Sequence, residues 1–180
     1  MIERANRVFS KTADQKVLGF LCRNPSRAYF SAEVALQTLL SKGGVNQVLR
    51  SLAERGVLKA EKRGRMIFYQ VDAKSPLIRQ FKILRNVELL EPLVRKIKGD
   101  CERLVLFGSC AVGEDAEESD VDLYVVTGQK EKVRRAIPGV IEGREVQAVL
   151  HSPQEFLALD KKEPVLRTEL KKGIILWERE

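Results

Sequence analysis

Two short stretches in the second half of the chain decide its fold. Residues 104–109 read LVLFGS, and residues 119–126 read SDVDLYVV. A continuous apolar run of this length is typical of a buried strand. We therefore predict one strand that ends at Gly108-Ser109 and a second that begins with Asp120 and Asp122. Side chains two positions apart in a strand point to the same face, so the two carboxylates should lie side by side.

This spacing of carboxylates indicates a cation site. Two adjacent carboxylates repel each other unless a cation or a proton joins them. Mg²⁺, or Mn²⁺ in its place, takes a few carboxylates and completes its shell with water and substrate phosphates. The small Gly108-Ser109 corner would let backbone amides and a hydroxyl approach those phosphates closely. The alternative is an ordinary solvated strand start beside an acidic loop, whose residues are Glu114, Asp115, Glu117 and Glu118.

The order of these residues resembles the nucleotidyltransferase superfamily related to DNA polymerase beta, and within it the minimal nucleotidyltransferases. Ala111 and Gly113, in the turn after Gly108-Ser109, belong to the same pattern. The resemblance runs from about Cys101 to the end of the chain and includes a closing strand at residues 172–177, which read KGIILW. It implies an α/β domain with a mixed sheet and flanking helices.

The resemblance also assigns roles to the four motif residues. It implies that Gly108 and Ser109 hold the phosphates of a nucleoside triphosphate. Asp120 and Asp122 would bind the metal ions and serve as catalytic carboxylates. In such enzymes a third carboxylate, on a later strand, activates the attacking hydroxyl and completes a two-metal site.

The third carboxylate is where this chain departs from the family pattern. The later strand is expected at residues 145–150, EVQAVL, where the third acid falls at Gln147. Glutamine neither accepts a proton nor offers a negative ligand. Glu145 shares the strand parity of Gln147 but sits one pleat away. Val112 stands where the family carries a basic residue after the Gly-Ser turn. Nucleotide and metal binding are therefore favoured over transfer.

The first half of the chain predicts three short helices. Thr12 can cap a first helix, which Asn24-Pro25 should end. Ser31 opens a second helix and is able to cap it. A third starts at Ser41 or Gly44 and closes at Gly56, because glycine suits a left-handed C-cap. The apolar residues expected on or near the buried side of the second helix are Val34, Leu36, Leu39 and Leu40, and those of the third are Val45, Val48, Leu49 and Leu52.

A hairpin should follow the helices. Residues 57–61 and 66–71 read as two strands, and residues 62–65, KRGR, as a turn of three cations around a glycine. Three helices and a basic hairpin over about residues 11–72 resemble the winged helix-turn-helix family, an α+β domain. The resemblance implies that the third helix enters the major groove of double-stranded DNA and that the wing lies along the backbone or minor groove.

The residues of this domain that suit DNA lie outside the apolar stripe of the third helix and in the hairpin turn. Asn and Gln side chains pair with adenine edges, and Arg pairs with guanine, whereas Lys near the helix start suits a phosphate. A structural domain of the same type that binds protein instead is the alternative. The predicted DNA-binding residues are Lys42, Asn46, Gln47, Arg50, Arg63 and Arg65.

Charge supports two modules with different partners. Residues 1–98 hold twenty Lys and Arg against eight Asp and Glu, a formal charge of +12, whereas residues 99–180 hold twelve against seventeen, or −5. Cations that neutralise phosphates release counterions, so the basic half suits a nucleic-acid backbone. The three cysteines are scattered, which favours a reducing, cytoplasmic location. No apolar run is long enough for a membrane span, and Met1–Ser10 lacks a signal-peptide core.

We predict three parts: a winged-helix domain over residues 1–74, a linker helix over 75–98 and a nucleotidyltransferase-like domain over 99–180. The linker is apolar on one face and basic on the other, and Pro92 should mark a helix restart within it. It is either a helix packed on both domains or a dimer surface, and we favour a homodimer, since many DNA-binding modules read two half-sites.

Three hypotheses of function remain open from the sequence. The chain is a DNA-binding transcriptional regulator whose second domain binds NTP and Mg²⁺. Alternatively, it is an active enzyme that transfers a nucleoside monophosphate to a hydroxyl of a protein or small molecule. The third hypothesis is an antitoxin-like role beside a HEPN-domain protein, since minimal nucleotidyltransferases often work with such partners. Gln147 favours the first over the second.

Overall fold

A computed structural model describes residues 12–179. Residues 1–11, with the Met1–Ser10 stretch discussed above, and Glu180 lie outside this part of the chain. The chain divides into two compact units, one ending at Lys82 and the other beginning at Ile83. Within the described residues no helix combines the length and apolarity that crossing a membrane requires.

Within residues 12–82, the first unit contains three complete helices, a three-stranded antiparallel sheet and the first turns of a fourth helix. Its strands lie in the order β1-β3-β2. Helices and strands pack around one core, in which Val17, Val34 and Leu49 are fully buried. The elements, in chain order, are α1 (Ala13–Leu21), β1 (Tyr29–Phe30), α2 (Ser31–Thr38), α3 (Lys42–Glu54), β2 (Leu58–Arg63) and β3 (Met66–Val71).

Side-chain and glycine caps fix the predicted start of α1 and both predicted ends of α3. Thr12 Oγ1 accepts from Gln15 N at 3.3 Å, and the Gln15 side chain accepts in return from Thr12 N at 3.0 Å. Ser41 Oγ accepts from Gly44 N at 3.1 Å. Gly56 follows α3 with φ +72°, the left-handed conformation expected of it. These predictions are confirmed, as is the burial of Val45, Val48, Leu49 and Leu52.

The first two helices differ from the sequence prediction at their ends. α1 ends at Leu21, because the chain tightens into a turn in which Arg23 N donates to Phe20 O at 3.1 Å, ahead of Asn24-Pro25. Ser31 is the first residue of α2 rather than its cap. Its predecessor Phe30 takes that place, and Phe30 N donates to Glu33 Oε2 at 3.1 Å.

Leu36 and Leu39 are exposed, contrary to the prediction that they lie on the buried side of α2. Their exposed fractions are 74% and 90%. Helical spacing explains Leu36, because the buried Val34 lies two positions away and so on a different face. Leu39 follows the helix with φ +56°, a left-handed conformation that takes its side chain off the helical stripe. Leu40 does pack against the core, as predicted.

The hairpin is longer and its turn tighter than predicted. Lys62 pairs with Ile67 and Arg63 with Met66, so the ladder extends into the predicted four-residue turn and leaves only Gly64-Arg65 at the tip. Gly64 has φ +60°, as such a short turn requires. The two-residue strand β1, which pairs with Tyr69 and Phe68, was not predicted, because two residues are too short for a periodic pattern.

The helix α4 (Pro76–Ile97) contains the division between the units and is continuous through Pro92. A restart at Pro92 was therefore a wrong prediction. An internal proline costs a helix about 3 kcal/mol or more. Four side chains of this helix offset that cost by packing in the core of the second unit, namely Leu90, Leu93, Val94 and Ile97, all at most 7% exposed.

The second unit is an α/β domain with a mixed five-stranded sheet, as predicted. The strand order is β6-β7-β5-β4-β8, with β5 and β7 parallel and the other pairs antiparallel. All three cysteines of the chain are buried thiols. The elements after α4 are β4 (Arg103–Phe107), α5 (Gly108–Val112), β5 (Val121–Val126), α6 (Lys130–Ala136), β6 (Val140–Ile141), β7 (Arg144–His151), α7 (Pro153–Leu157), α8 (Leu159–Lys162), α9 (Pro164–Lys171) and β8 (Ile174–Glu178).

Candidate functional site

The two parts of the sequence motif meet where β4 ends and β5 begins. Phe107, the last residue of β4, pairs with Asp122 in the antiparallel ladder. Gly108 follows with φ +67° and opens α5. A Cβ atom at Gly108 would overlap Asp122 Oδ2 and lie 3.1 Å from Asp122 Cγ. The carboxylate of Asp122 therefore rests directly on the glycine backbone.

Asp120 and Asp122 lie in different surroundings. β5 begins at Val121, so Asp120 precedes the strand and is exposed, whereas Asp122 is partly buried. The prediction that both belong to the strand is therefore wrong for Asp120. Its carbonyl oxygen accepts a hydrogen bond from Cys110 Sγ at 3.2 Å, which ties it to α5.

The two carboxylates nevertheless interact. Burial raises the pKa of Asp122, and the negative charge of Asp120 raises it further. A cation between the two would act in the opposite direction and lower the pKa of Asp122, because it favours the charged carboxylates. Ser109, the second residue of α5, is partly buried next to Gly108. The corner thus combines two carboxylates, a hydroxyl and a glycine against which the Asp122 carboxylate lies.

The residue across from Asp122 on the neighbouring strand is Gln147. The parallel register of β5 and β7 pairs Asp122 with Gln147 and Val121 with Val146. Paired residues project to the same face of a sheet, so the Gln147 amide stands on the face of the Asp122 carboxylate. Glu145 precedes Gln147 by two positions, and both are exposed. Within residues 12–179, no three His, Cys, Asp or Glu side chains gather closely enough to hold one metal ion.

A buried polar cluster beside this corner was not predicted from the sequence. Asn86 of α4 is 5% exposed and Asp115 of the loop after α5 is 8% exposed. Arg144 of β7 bonds to both, with distances of 3.1 Å from Nη2 to Asn86 Oδ1 and from Nη1 to Asp115 Oδ2. Val112 stands where a basic residue was expected, and the guanidinium near this turn comes from Arg144 instead. An asparagine within an apolar helical stripe was the one sequence signal for this cluster.

His151, the single histidine of the sequence, lies at the end of β7. Its Nδ1 is 3.0 Å from Tyr124 Oη, and its Nε2 is 3.5 Å from Glu163 Oε1. Tyr124 is fully buried, and desolvation is the main cause that raises its pKa to about 12. His151 is thus held by a tyrosine and a glutamate, four positions along the strand from Gln147.

In the first unit, the predicted DNA-binding residues of α3 lie on an accessible face. Lys42, Gln47 and Arg50 are exposed, and Asn46 is partly exposed. An open concavity of about 550 Å³ runs along this face, and its lining residues are Gly43, Asn46, Gln47, Arg50, Ser51 and Glu54. The face is therefore free of the core packing that occupies the opposite side of the helix.

The two hairpin arginines differ in their surroundings. Arg63 Nη2 lies 2.6 Å from Glu61 Oε2, and the guanidinium stands 4.9 Å from the centre of the Phe68 ring. The hydrogen bond from Arg63 lowers the pKa of Glu61. Arg65 is exposed at the tip of the hairpin. Of the two, Arg63 thus has its charge largely balanced within the protein.

Comparison with known proteins gives one family. The model of the family described as "Polymerase beta, Nucleotidyltransferase" matches residues 90–180. A crystal structure of a putative nucleotidyltransferase from Sulfolobus solfataricus is similar at 21% identity, with 60% of this chain and 94% of that chain covered and a TM-score of 0.40. The structure of a cysteine-to-serine mutant of Lactococcus lactis ZitR in complex with DNA is similar at 13% identity, with 55% and 69% covered and a TM-score of 0.38. No curated protein sequence matches the chain.

Because Asp122 lies against Gly108, a side chain introduced at position 108 should lower the free energy of unfolding. Gly108→Ala adds both left-handed strain and an overlap with the carboxylate, and should cost roughly 3 kcal/mol. Gly143→Ala is the matched control, because Gly143 has φ +82° but no atom within 4 Å of the place that a Cβ would occupy, and should cost about 1 kcal/mol. Urea denaturation measures both. Adding Asp122→Ala to Gly108→Ala should recover part of the loss, and equal costs at the two glycines would contradict this account.

Proposed function

Because this chain belongs to the polymerase beta nucleotidyltransferase family, we propose that it is a DNA-binding regulator whose second unit binds a nucleoside triphosphate with Mg²⁺ but transfers nucleotide poorly or not at all. The observation that carries the proposal is the pairing of Asp122 with Gln147. It combines a carboxylate pair with an amide at the position where a third carboxylate would be needed for transfer.

The residues of the corner fit a metal-bound nucleotide. Asp120 and Asp122 would hold Mg²⁺ or Mn²⁺, and the donor set is the oxygen-only set that these hard cations prefer. Gly108 has no Cβ, so the Asp122 carboxylate lies directly against it, and Ser109 would add a hydroxyl donor for the phosphates. When bound, the cation supplies positive charge that neutralises the triphosphate. The repulsion between the two carboxylates makes this binding favourable.

Transfer needs a further group that the corner lacks. The attacking hydroxyl must lose a proton, and a positioned base typically contributes about 10²–10⁴-fold to such a step. The amide of Gln147 has no basic site at neutral pH. Glu145 stands two positions earlier, where a continuation of the register would place it across from Asp120 rather than Asp122. These facts support nucleotide binding without efficient turnover.

For the first unit, we propose a winged-helix domain that binds double-stranded DNA. Support comes from the order of its elements, from the exposed polar face of α3 and from the positive charge of this half of the chain. Gln47 and Arg50 are the side chains proposed to contact bases, whereas Lys42 and Arg65 would contact phosphates. Arg63 contributes less, because Glu61 already neutralises it.

Nucleotide binding predicts a thermal shift. MgATP or another NTP should raise the melting temperature, and an NTP present at about 100 times its Kd would add about 2.7 kcal/mol of stability. Asp120→Ala and Asp122→Ala should each abolish the shift, because the cation would lose a carboxylate. Glu118→Ala, an exposed acid of the same loop, is the matched control and should keep it. Absence of a shift with every NTP, measured by scanning fluorimetry, would exclude nucleotide binding.

The identity of residue 147 predicts a gain of activity. With α-³²P-labelled NTPs and Mn²⁺, the wild type should transfer only a weak label to itself or to added nucleic acid or protein. Gln147→Glu, which supplies a base of nearly the same shape, should increase labelling at least about 100-fold. Gln147→Asn is the matched control without a carboxylate. Rapid labelling by the wild type that Asp122→Ala removes would instead establish an active transferase.

If the first unit binds DNA, its affinity for a duplex should fall both on substitution of an α3 arginine and on addition of salt. In a gel-shift assay with random duplex at low salt, Arg50→Ala should weaken binding roughly tenfold, because the duplex loses a charged contact. Arg55→Ala, an exposed arginine just past the end of α3, is the matched control and should have little effect. Raising the salt concentration should weaken all complexes. Indifference to both Arg50→Ala and salt would argue against DNA as the ligand.

A further inference from the structure

The buried cluster of Asn86, Asp115 and Arg144 carries an inference that rests on the proposed nucleotide site. We propose that Arg144 is a positioning residue for that site: through Asp115 and Cys110 it fixes the loop that carries Asp120. The cluster lies beside the corner but contains neither of the two candidate metal ligands. Its residues come from three elements that are distant in sequence, namely α4, the loop after α5, and β7.

Asn86 ties the cluster to the helix that begins at Gly108. Its Nδ2 donates to the carbonyl oxygen of Cys110 at 3.0 Å and to Asp115 Oδ1 at 3.2 Å. Its Oδ1 accepts from Arg144 Nη2 at 3.1 Å. Both polar atoms of this buried side chain are therefore hydrogen-bonded, Nδ2 as a donor and Oδ1 as an acceptor. Such a fully bonded polar network in a low-dielectric setting is rigid.

Arg144 contacts Asp115, near the start of the loop between α5 and β5, and Cys110 in the helix before it. Nη1 donates to Asp115 Oδ2 at 3.1 Å and lies 3.4 Å from Cys110 Sγ. Cys110 Sγ in turn donates to the carbonyl oxygen of Asp120 at 3.2 Å. A continuous chain of contacts therefore runs from the guanidinium to the backbone of Asp120. This series of contacts fixes Asp120, which lies outside the β5 ladder, whereas Asp122 is fixed by the ladder itself.

A strained turn places Arg144. The strands β6 and β7 are joined by Glu142-Gly143, which have φ +46° and +82°, and Ile141 pairs with Arg144 directly after this turn. Positive φ at both central residues is the requirement of a type I′ hairpin turn. Glutamate rarely adopts such a conformation, so the surrounding structure must enforce it. Glu142 Oε2 lies 3.9 Å from Arg85 Nη2 of α4, one residue before Asn86, and this contact anchors the turn to the same helix.

The charge of Arg144 also matters for the buried cluster. Asp115 and Arg144 are both largely withdrawn from water, with side-chain exposures of 11% and 12%. At this depth an unpaired carboxylate is costly, and its field acts on nearby charges with less screening. The ion pair with Arg144 therefore balances the buried charge of Asp115 within the cluster.

The test compares Arg144→Gln with Arg103→Gln. Arg103 is a matched control, because it too is a partly buried arginine of this sheet that is paired with a carboxylate, Glu178, away from the loop. Binding of MnATP, measured by the Mn²⁺ electron paramagnetic resonance signal, should weaken at least tenfold in Arg144→Gln. Arg144→Lys should lie between it and the wild type. Arg103→Gln should lower the melting temperature but bind MnATP as the wild type does.

Two further measurements separate positioning from folding. Hydrogen exchange of residues 113–120 in the ligand-free protein should be faster in Arg144→Gln and unchanged in Arg103→Gln. Cys110→Ala should weaken MnATP binding, and Cys110→Ser, which keeps a donor for the Asp120 carbonyl, should restore it. If Arg144→Gln does not fold, the comparison of Cys110→Ala with Cys110→Ser tests the proposal by itself.

The outcomes distinguish this inference from the proposed function. Unchanged MnATP affinity in Arg144→Gln, or in Cys110→Ala, would overturn the positioning role while leaving the nucleotide site intact. Absence of MnATP binding by the wild type would overturn the proposed function and this inference with it. Weakened binding in Arg144→Gln and Cys110→Ala, with normal binding in Arg103→Gln and Cys110→Ser, supports both.

Discussion

The close approach of Asp122 to the backbone of Gly108 is the contact on which the candidate site depends. It arises from the antiparallel pairing of β4 with β5, which sets Phe107 opposite Asp122 and leaves no room for a Cβ on the next residue. A glycine with positive φ is the residue that meets both demands. The small corner between the strands is therefore a consequence of strand register.

Register on the other side of β5 determines which chemistry the corner supports. Parallel pairing with β7 brings Gln147, and no carboxylate, alongside Asp122. The same strand places Arg144 against the loop that precedes Asp120. Residues 144 and 147 lie three positions apart in β7, so their side chains point to opposite faces of the sheet. Under the proposed function, a single strand supplies both Arg144, which positions the loop of Asp120, and Gln147, which leaves the site without a third carboxylate. In that proposal the site is more complete for binding than for catalysis.

Local signals in the sequence were sufficient for much of this structure. Capping side chains at Thr12 and Ser41 and the glycine at position 56 predicted helix ends correctly, because their effect involves residues a few positions away. The apolar strands and the Gly-Ser corner were predictable for the same reason. Leu39 and Pro92 misled the prediction, since a backbone turn and tertiary burial override helical patterns. The Asn86–Arg144 contact joins residues 58 positions apart, and no local pattern encodes such a pairing.

The glutamine that faces Asp122 has an evolutionary consequence. Glutamine and glutamate codons differ only at their first base, and the two side chains have nearly the same size and shape. The exposed position of Gln147 means that neither side chain has to be accommodated by repacking a core. A lineage carrying this protein therefore stands a single nucleotide change away from a carboxylate at that position, so that a nucleotide receptor and an enzyme would be neighbours in sequence space.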